Sequence, residues 1–160
     1  MFKAGIFFSV AAAAMAMGTG AAAAAPPGPP DLLVTQSSSD VPSTEARARA
    51  ALSALGVPVF ATFDHAANAK EAGLSLRPTV VLVFGNPKVG TKLMLDQQAM
   101  ALDLPLRLAI WQDEAGATWI GYHDLKPLAA GYGIKDAETV TKLAGFMSQL
   151  AKQAAGASAN

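Results

Sequence analysis

The sequence predicts an α+β fold: a two-layer domain with one mixed or antiparallel sheet and helices mainly on one face. Three observations carry this. Short apolar, β-branched runs alternate with helical stretches in the order strand, helix, strand, short helix, strand, helix, hairpin, helix. Two of the strand runs are joined by a short turn, so they pair antiparallel. The last helical stretch carries a continuous apolar stripe, which has to be buried against a sheet or a partner helix.

Leu32-Leu33-Val34-Thr35 reads as the first strand, ended by Gln36-Ser37-Ser38-Ser39-Asp40. Ser43 is the expected cap of the helix that follows, with Glu45 in its first turn, a stripe of Ala48, Ala51, Leu52 and Leu55, and Gly56 just past its end. Residues 57–63 form the second strand, with Val57, Val59, Ala61 and Phe63 on one face and Asp64-His65 closing it. A short helix over 66–72 leads to Arg77-Pro78 and to the unbroken apolar run 79–84, which predicts a central strand buried on both faces.

That strand stops at Gly85-Asn86-Pro87-Lys88-Val89-Gly90, turn chemistry throughout, and Thr91 reads as the cap of a helix reaching Leu102. Leu106, Leu108 and Ile110 then alternate with Arg107, Ala109 and Trp111, and 118–122 is the matching arm across the turn 113–116. Asp136 caps the last helix, whose stripe is Val140, Leu143, Met147, Leu150 and Ala154.

The N-terminus adds an expectation about destination. Lys3 is followed by a charge-free apolar stretch and an alanine run, the order of a cleavable secretory signal, so residues 1–24 are read as a signal peptide. Pro26-Pro27-Gly28-Pro29-Pro30 places a proline-rich spacer at 25–30, and 31–155 is one globular domain. The mature domain is then periplasmic or secreted, without a membrane span once the signal is removed. Residues 1–25 hold one lysine and no acid, which leaves 11 basic and 12 acidic residues, formally −1. Near-neutrality argues against nucleic acid as a partner. With no cysteine there is no disulfide framework and no thiol chemistry.

Candidate chemistry is sparse. The two histidines each sit beside an aspartate at a strand end, as Asp64-His65 and His123-Asp124, a set suited to a divalent ion only if both strand ends meet. No helical His-to-His spacing supports it, and neither a metal site nor a cofactor is expected. The 85–91 segment lies where phosphate loops lie, between a buried strand and a helix, but its glycines and lysine lack P-loop spacing. There is no Gly-x-Ser-x-Gly elbow, and Ser43, Ser53 and Ser75 have no motif around them, so the balance is against an enzyme. Met94, Met100 and Met147 read as core filling. Trp111, Trp119 and Tyr122 on the hairpin, with the 140–150 stripe, offer apolar surface for a homodimer.

Four stretches taken together resemble the bacterial domain-of-unknown-function family 302: Phe60-Ala61-Thr62-Phe63-Asp64-His65, Arg77-Pro78-Thr79, Phe84-Gly85-Asn86-Pro87-Lys88-Val89-Gly90-Thr91, and Ala101-Leu102-Asp103-Leu104-Pro105-Leu106-Arg107. The resemblance implies a compact α/β fold, often dimeric, and no settled activity. Asp64, His65, Asn86, Lys88 and Thr91 match its polar signature, while His123 stands where a small polar residue is more usual. The leading expectation is an exported domain that binds a small polar or anionic ligand through these five residues, as a dimer. One alternative is a metal-dependent or acid-base enzyme centred on Asp64-His65. Another is a purely structural, interacting dimer.

Overall fold

The computed structural model describes residues 25–156. The signal read at 1–24 lies outside the described residues. Residues 25–29 hold no helix or strand, as proline dictates. The fold is the expected two layers: a five-stranded sheet in the order β1-β5-β4-β3-β2, every neighbouring pair antiparallel, under helices on one face.

β1 (Leu32–Ser37) runs into α1 (Val41–Ala54), and the cap is Asp40 rather than Ser43. The Asp40 carboxylate accepts from the Ser43 amide at 2.9 Å, and Pro42 tolerates the first turn because it has no N–H to satisfy there. Ala48 and Leu52 of the expected stripe are fully buried, whereas Leu55 lies at the C-cap and is 55% exposed.

β2 (Val59–Asp64) departs from simple alternation. Val59 pairs Phe84 but Ala61 pairs Val83, a bulge that shifts the register by one. Val59 therefore faces the helices, while Ala61 and Phe63 face away with Val81 and Val83. The Arg49 guanidinium on α1 donates to Thr62 at 2.6 Å, which marks Thr62 as helix-facing.

α2 (His65–Glu71) leads to β3 (Thr79–Phe84). In β3 only Val80, Leu82 and Phe84 are buried, so the strand is covered on one face and not on both. Its unbroken apolar run comes from a second, partly exposed apolar face formed by Val81 and Val83.

α3 (Pro87–Asp96) is followed by a 3-10 turn, Gln98–Leu102, instead of one continuous helix. β4 (Leu106–Gln112) and β5 (Thr118–His123) form the expected hairpin, in which the Trp119 indole N–H donates to Asp113 at 2.7 Å across the turn. The Trp111 ring lies flat on Gly121, where a Cβ would come within 2.8 Å of it. A short helix, α4 (Leu125–Gly131), capped by Asp124, was not expected from sequence.

α5 (Ala137–Ala155) is capped by Asp136 as read, and Gly156 ends it in the left-handed region at φ 78°. Its Val140, Met147 and Leu150 are buried in the core, so that stripe closes the domain on itself and is not surface for a partner. Arg47 from α1 donates to the Ala154 carbonyl at 2.7 Å, joining the two helices where the end of α5 carries partial negative charge.

Candidate functional site

The polar residues singled out by sequence fall into two groups at opposite ends of the β2–β3 ladder. Asp64 pairs Val80 at one end; Phe84, at the other, leads into Asn86. Four residues of strand, about 13 Å, separate the two ends. Asp64 is the N-cap of α2, its carboxylate accepting from the Ala67 amide at 2.9 Å. His65 is the first residue of α2, exposed, with its ring stacked on Phe63 at 6.4 Å between centroids. His123 sits on β5, two strands away from β3, and bonds the Asp31 carboxylate at 2.7 Å. The structure does not bring the two histidines together, and among the described residues no three metal-ligating side chains converge.

Asn86, Lys88 and Thr91 share one location, the start of α3. Asn86 is the N-cap, with its side-chain oxygen accepting from the Lys88 amide at 3.0 Å, while its carbonyl accepts from the Val89 and Gly90 amides at 2.9 and 3.0 Å. Pro87 has no amide to offer. Every first-turn donor that an anion would use is thus already bonded within the turn. What remains is the Asn86 side-chain amide and the exposed ammonium of Lys88, which makes no ion pair among the described residues. Thr91 is not a cap; it lies on the fifth residue of α3.

The same segment forms one wall of the feature that sequence reading missed, a cavity of about 400 Å³. Val57 and Phe60 close one side, Gly85 to Thr91 and Met94 the next, Ala101 and Leu104 to Leu106 the third, and Leu143 and Phe146 of α5 the floor. Phe146 is set edge-on against buried Phe84 at 6.2 Å, which fixes the floor to the core. Gly85 lies between Phe60 and Pro105, where a Cβ would stand 3.6 Å from the one and 3.7 Å from the other, ordinary contact distances. The lining is apolar apart from Asn86 and Thr91, and its size lies within the range of small-molecule pockets. Lys88 and Lys92 stand on the outer flank of α3 over Pro87 and Thr91, beside the mouth. The arrangement holds an apolar body and offers a positive, hydrogen-bonding edge; it has no paired acid and base for proton transfer.

A family model described as "Domain of unknown function DUF302" matches residues 33–150. The fold is shared with the crystal structure of an "uncharacterized conserved protein DUF302 from Bacillus stearothermophilus", at a TM-score of 0.71 and 20% identity, over 79% of this chain and 99% of that one. Two curated relatives are named fluoride-specific ion channels. "Fluoride-specific ion channel FluC 1" of Brucella suis biovar 1 is 41% identical over 103 residues, 64% of this chain and 41% of that protein. "Fluoride-specific ion channel FluC 2" of Brucella melitensis biotype 1 is 41% identical over 103 residues, 38% of its length. The chain spans about two fifths of the length of these relatives.

Proposed function

The chain belongs to the family described as Domain of unknown function DUF302, a membership that prescribes no activity, and we propose from its site that it is an exported domain binding a small amphipathic acid. The observation that carries this is the apolar cavity of about 400 Å³ with Asn86 in its wall and Lys88 and Lys92 beside it on the outer flank of α3. The apolar body of the ligand fills the space above Phe146. Its acidic end meets the Asn86 side-chain amide and the Lys88 ammonium, because the backbone amides of the turn are spent. A purely inorganic anion gains too little here, since it meets only exposed lysines in water, where a charge pair is worth at most about 1 kcal/mol.

Export rests on the N-terminal residue order, and makes the ligand a periplasmic or extracellular one. The ion conduction in the names of the Brucella relatives is not carried over: no helix among the described residues is long and apolar enough to cross a membrane.

Octanoate, octanol, inorganic phosphate and fluoride, each followed by thermal unfolding, test the reading. Octanoate is expected to raise the unfolding midpoint more than octanol, with phosphate and fluoride inert. Ala101→Phe, which fills the cavity from an exposed wall position, is expected to abolish the octanoate response. A response to phosphate or fluoride with none to octanoate overturns the proposal.

A second reading, assembly as a homodimer, is favoured by the sheet face turned away from α1 and α5. Val34, Ala61, Val81, Val83, Ala109 and Trp111 lie there half-buried, with Phe63 at its edge 48% exposed. A second copy stacked on this face covers it and leaves the cavity open, so both readings hold together.

A further inference from the structure

Phe60 is the residue that the β2 bulge inserts: Val59 pairs Phe84 and Ala61 pairs Val83, and Phe60 has no partner of its own on β3. In a regular strand the side chain after helix-facing Val59 would point to the other face of the sheet. The extra residue turns it back, so that Val59 and Phe60 both face the helices and the phenyl ring becomes part of the cavity wall. A bulge on an edge strand also blunts the free edge, but that task does not call for an aromatic side chain.

The ring is also unfinished business for the fold. It is 50% exposed, so half of a large apolar side chain stays in water. Its edge lies over Gly85, where a Cβ would stand 3.6 Å from it. Other rings nearby are already engaged: Phe146, which lines the same cavity, is set edge-on against Phe84, and Phe63 stacks on His65. Among the described residues Phe60 pairs with no aromatic ring. A body entering the cavity therefore meets a phenyl surface that is still free to be covered.

We propose that Phe60 is the specificity-determining residue of this cavity, and that the acid it selects has a flat aromatic body. The inference rests on the reading of the cavity as the site of an amphipathic acid and goes beyond it in naming the body. A saturated chain or ring gains only from leaving water. An aromatic ring gains in addition from offset or edge-on contact with Phe60, and Met94 in the same lining adds a thioether, which favours rings. Asn86 and Lys88 meet the carboxylate in either case, so the choice between bodies falls to Phe60.

Phenylacetate, cyclohexylacetate and octanoate carry one carboxylate and the same number of carbon atoms, and they differ in the body alone. Each is titrated calorimetrically into protein expressed from the full chain. Phenylacetate is expected to bind about fivefold more tightly than cyclohexylacetate, although the saturated ring is the more hydrophobic of the two. Phe60→Leu keeps apolar bulk in the wall and is expected to remove that ratio while leaving the affinity for cyclohexylacetate close to that of wild type. Phe60→Tyr keeps the ring and retains the ratio. A Phe60 that only supports the wall would change stability, or all three affinities together, and not their ratio. Cyclohexylacetate binding as tightly as phenylacetate, Phe60→Leu keeping the wild-type ratio, or Phe60→Tyr losing it overturns this inference and leaves the acid-binding cavity standing. Failure of all three acids to bind overturns both.

Discussion

Replacing Asn86 by alanine separates the two tasks assigned to the start of α3. Alanine keeps the backbone carbonyl that accepts from Val89 and Gly90, so the only bond removed is the one from the Lys88 amide to the side-chain oxygen, at 3.0 Å. Loss of one N-cap bond on an exposed helix end costs about 1 kcal/mol. In a domain of this size that lowers Tm by roughly 3–5 °C. Asn86→Asp retains an acceptor oxygen and adds negative charge at the helix N-terminus, so its stability is expected within about 0.5 kcal/mol of wild type or above it. Lys88→Ala removes an exposed side chain and is expected to change stability by less than about 0.5 kcal/mol, yet to weaken octanoate by about fivefold. Urea unfolding followed by circular dichroism, with the slope m shared among variants, reads the first two effects, and calorimetric titration reads the last. Asn86→Ala as stable as wild type, or Asn86→Asp as damaging as alanine, refutes the capping argument. Lys88→Ala that binds octanoate unchanged refutes the role given to the ammonium.

Leu82 is wholly buried on the interior strand β3, and Leu82→Ala is expected to cost about 2–5 kcal/mol in urea unfolding; a loss under about 1 kcal/mol would mean that β3 is not the core strand described. The Asp113 carboxyl is held below the ordinary carboxylate pKa chiefly by the Trp119 indole N–H, so its contribution is complete above about pH 4 and is lost as pH falls through the lower folded value. Asp40 and Asp136, lowered chiefly by their side-chain hydrogen bonds with Ser43 and Thr139, act in the same direction. Stability is therefore expected to fall as pH drops below about 4, less steeply in Trp119→Phe, and an unchanged pH profile in that variant contradicts the assignment. Light scattering at micromolar concentration is expected to give twice the chain mass, with Val81→Lys monomeric; a monomeric wild type removes the dimer.

The architecture was legible where the residues repeat. Leu106, Leu108 and Ile110 alternate cleanly because β4 has one face under the helices, and the α5 stripe marks a helix packed along its whole length. Short and irregular elements were not legible. α4 is seven residues long, too short to display a period, and Pro127 in its first turn reads as a helix breaker unless Asp124 is recognised as the cap. Asn86-Pro87 set the same trap: the pair reads as a turn, but it is a cap followed by a proline at the first helical position. In β2 the bulge turns Ala61 and Phe63 away from Val59, and periodicity alone cannot reveal one inserted residue.

The candidate site was legible only in part, because polar residues announce themselves singly and cavities do not. Asn86 was conspicuous for its chemistry, yet most of its bonding capacity goes to the helix it starts, as that of Asp64 goes to α2. The cavity beside it is assembled from Phe60, Met94, Ala101, Leu104 and Phe146, residues from separate elements whose side chains look individually like core. They differ from core in one respect: Phe60 is 50% exposed, held open by a bulged edge strand on one side and by Gly85 and Pro105 on the other. On the proposed reading, an apolar wall kept open by such devices gives selectivity by shape, and the lysines beside it then choose among ligands that already fit. Charge would then select second, which is why a polar signature could locate the neighbourhood of the cavity without naming what enters it.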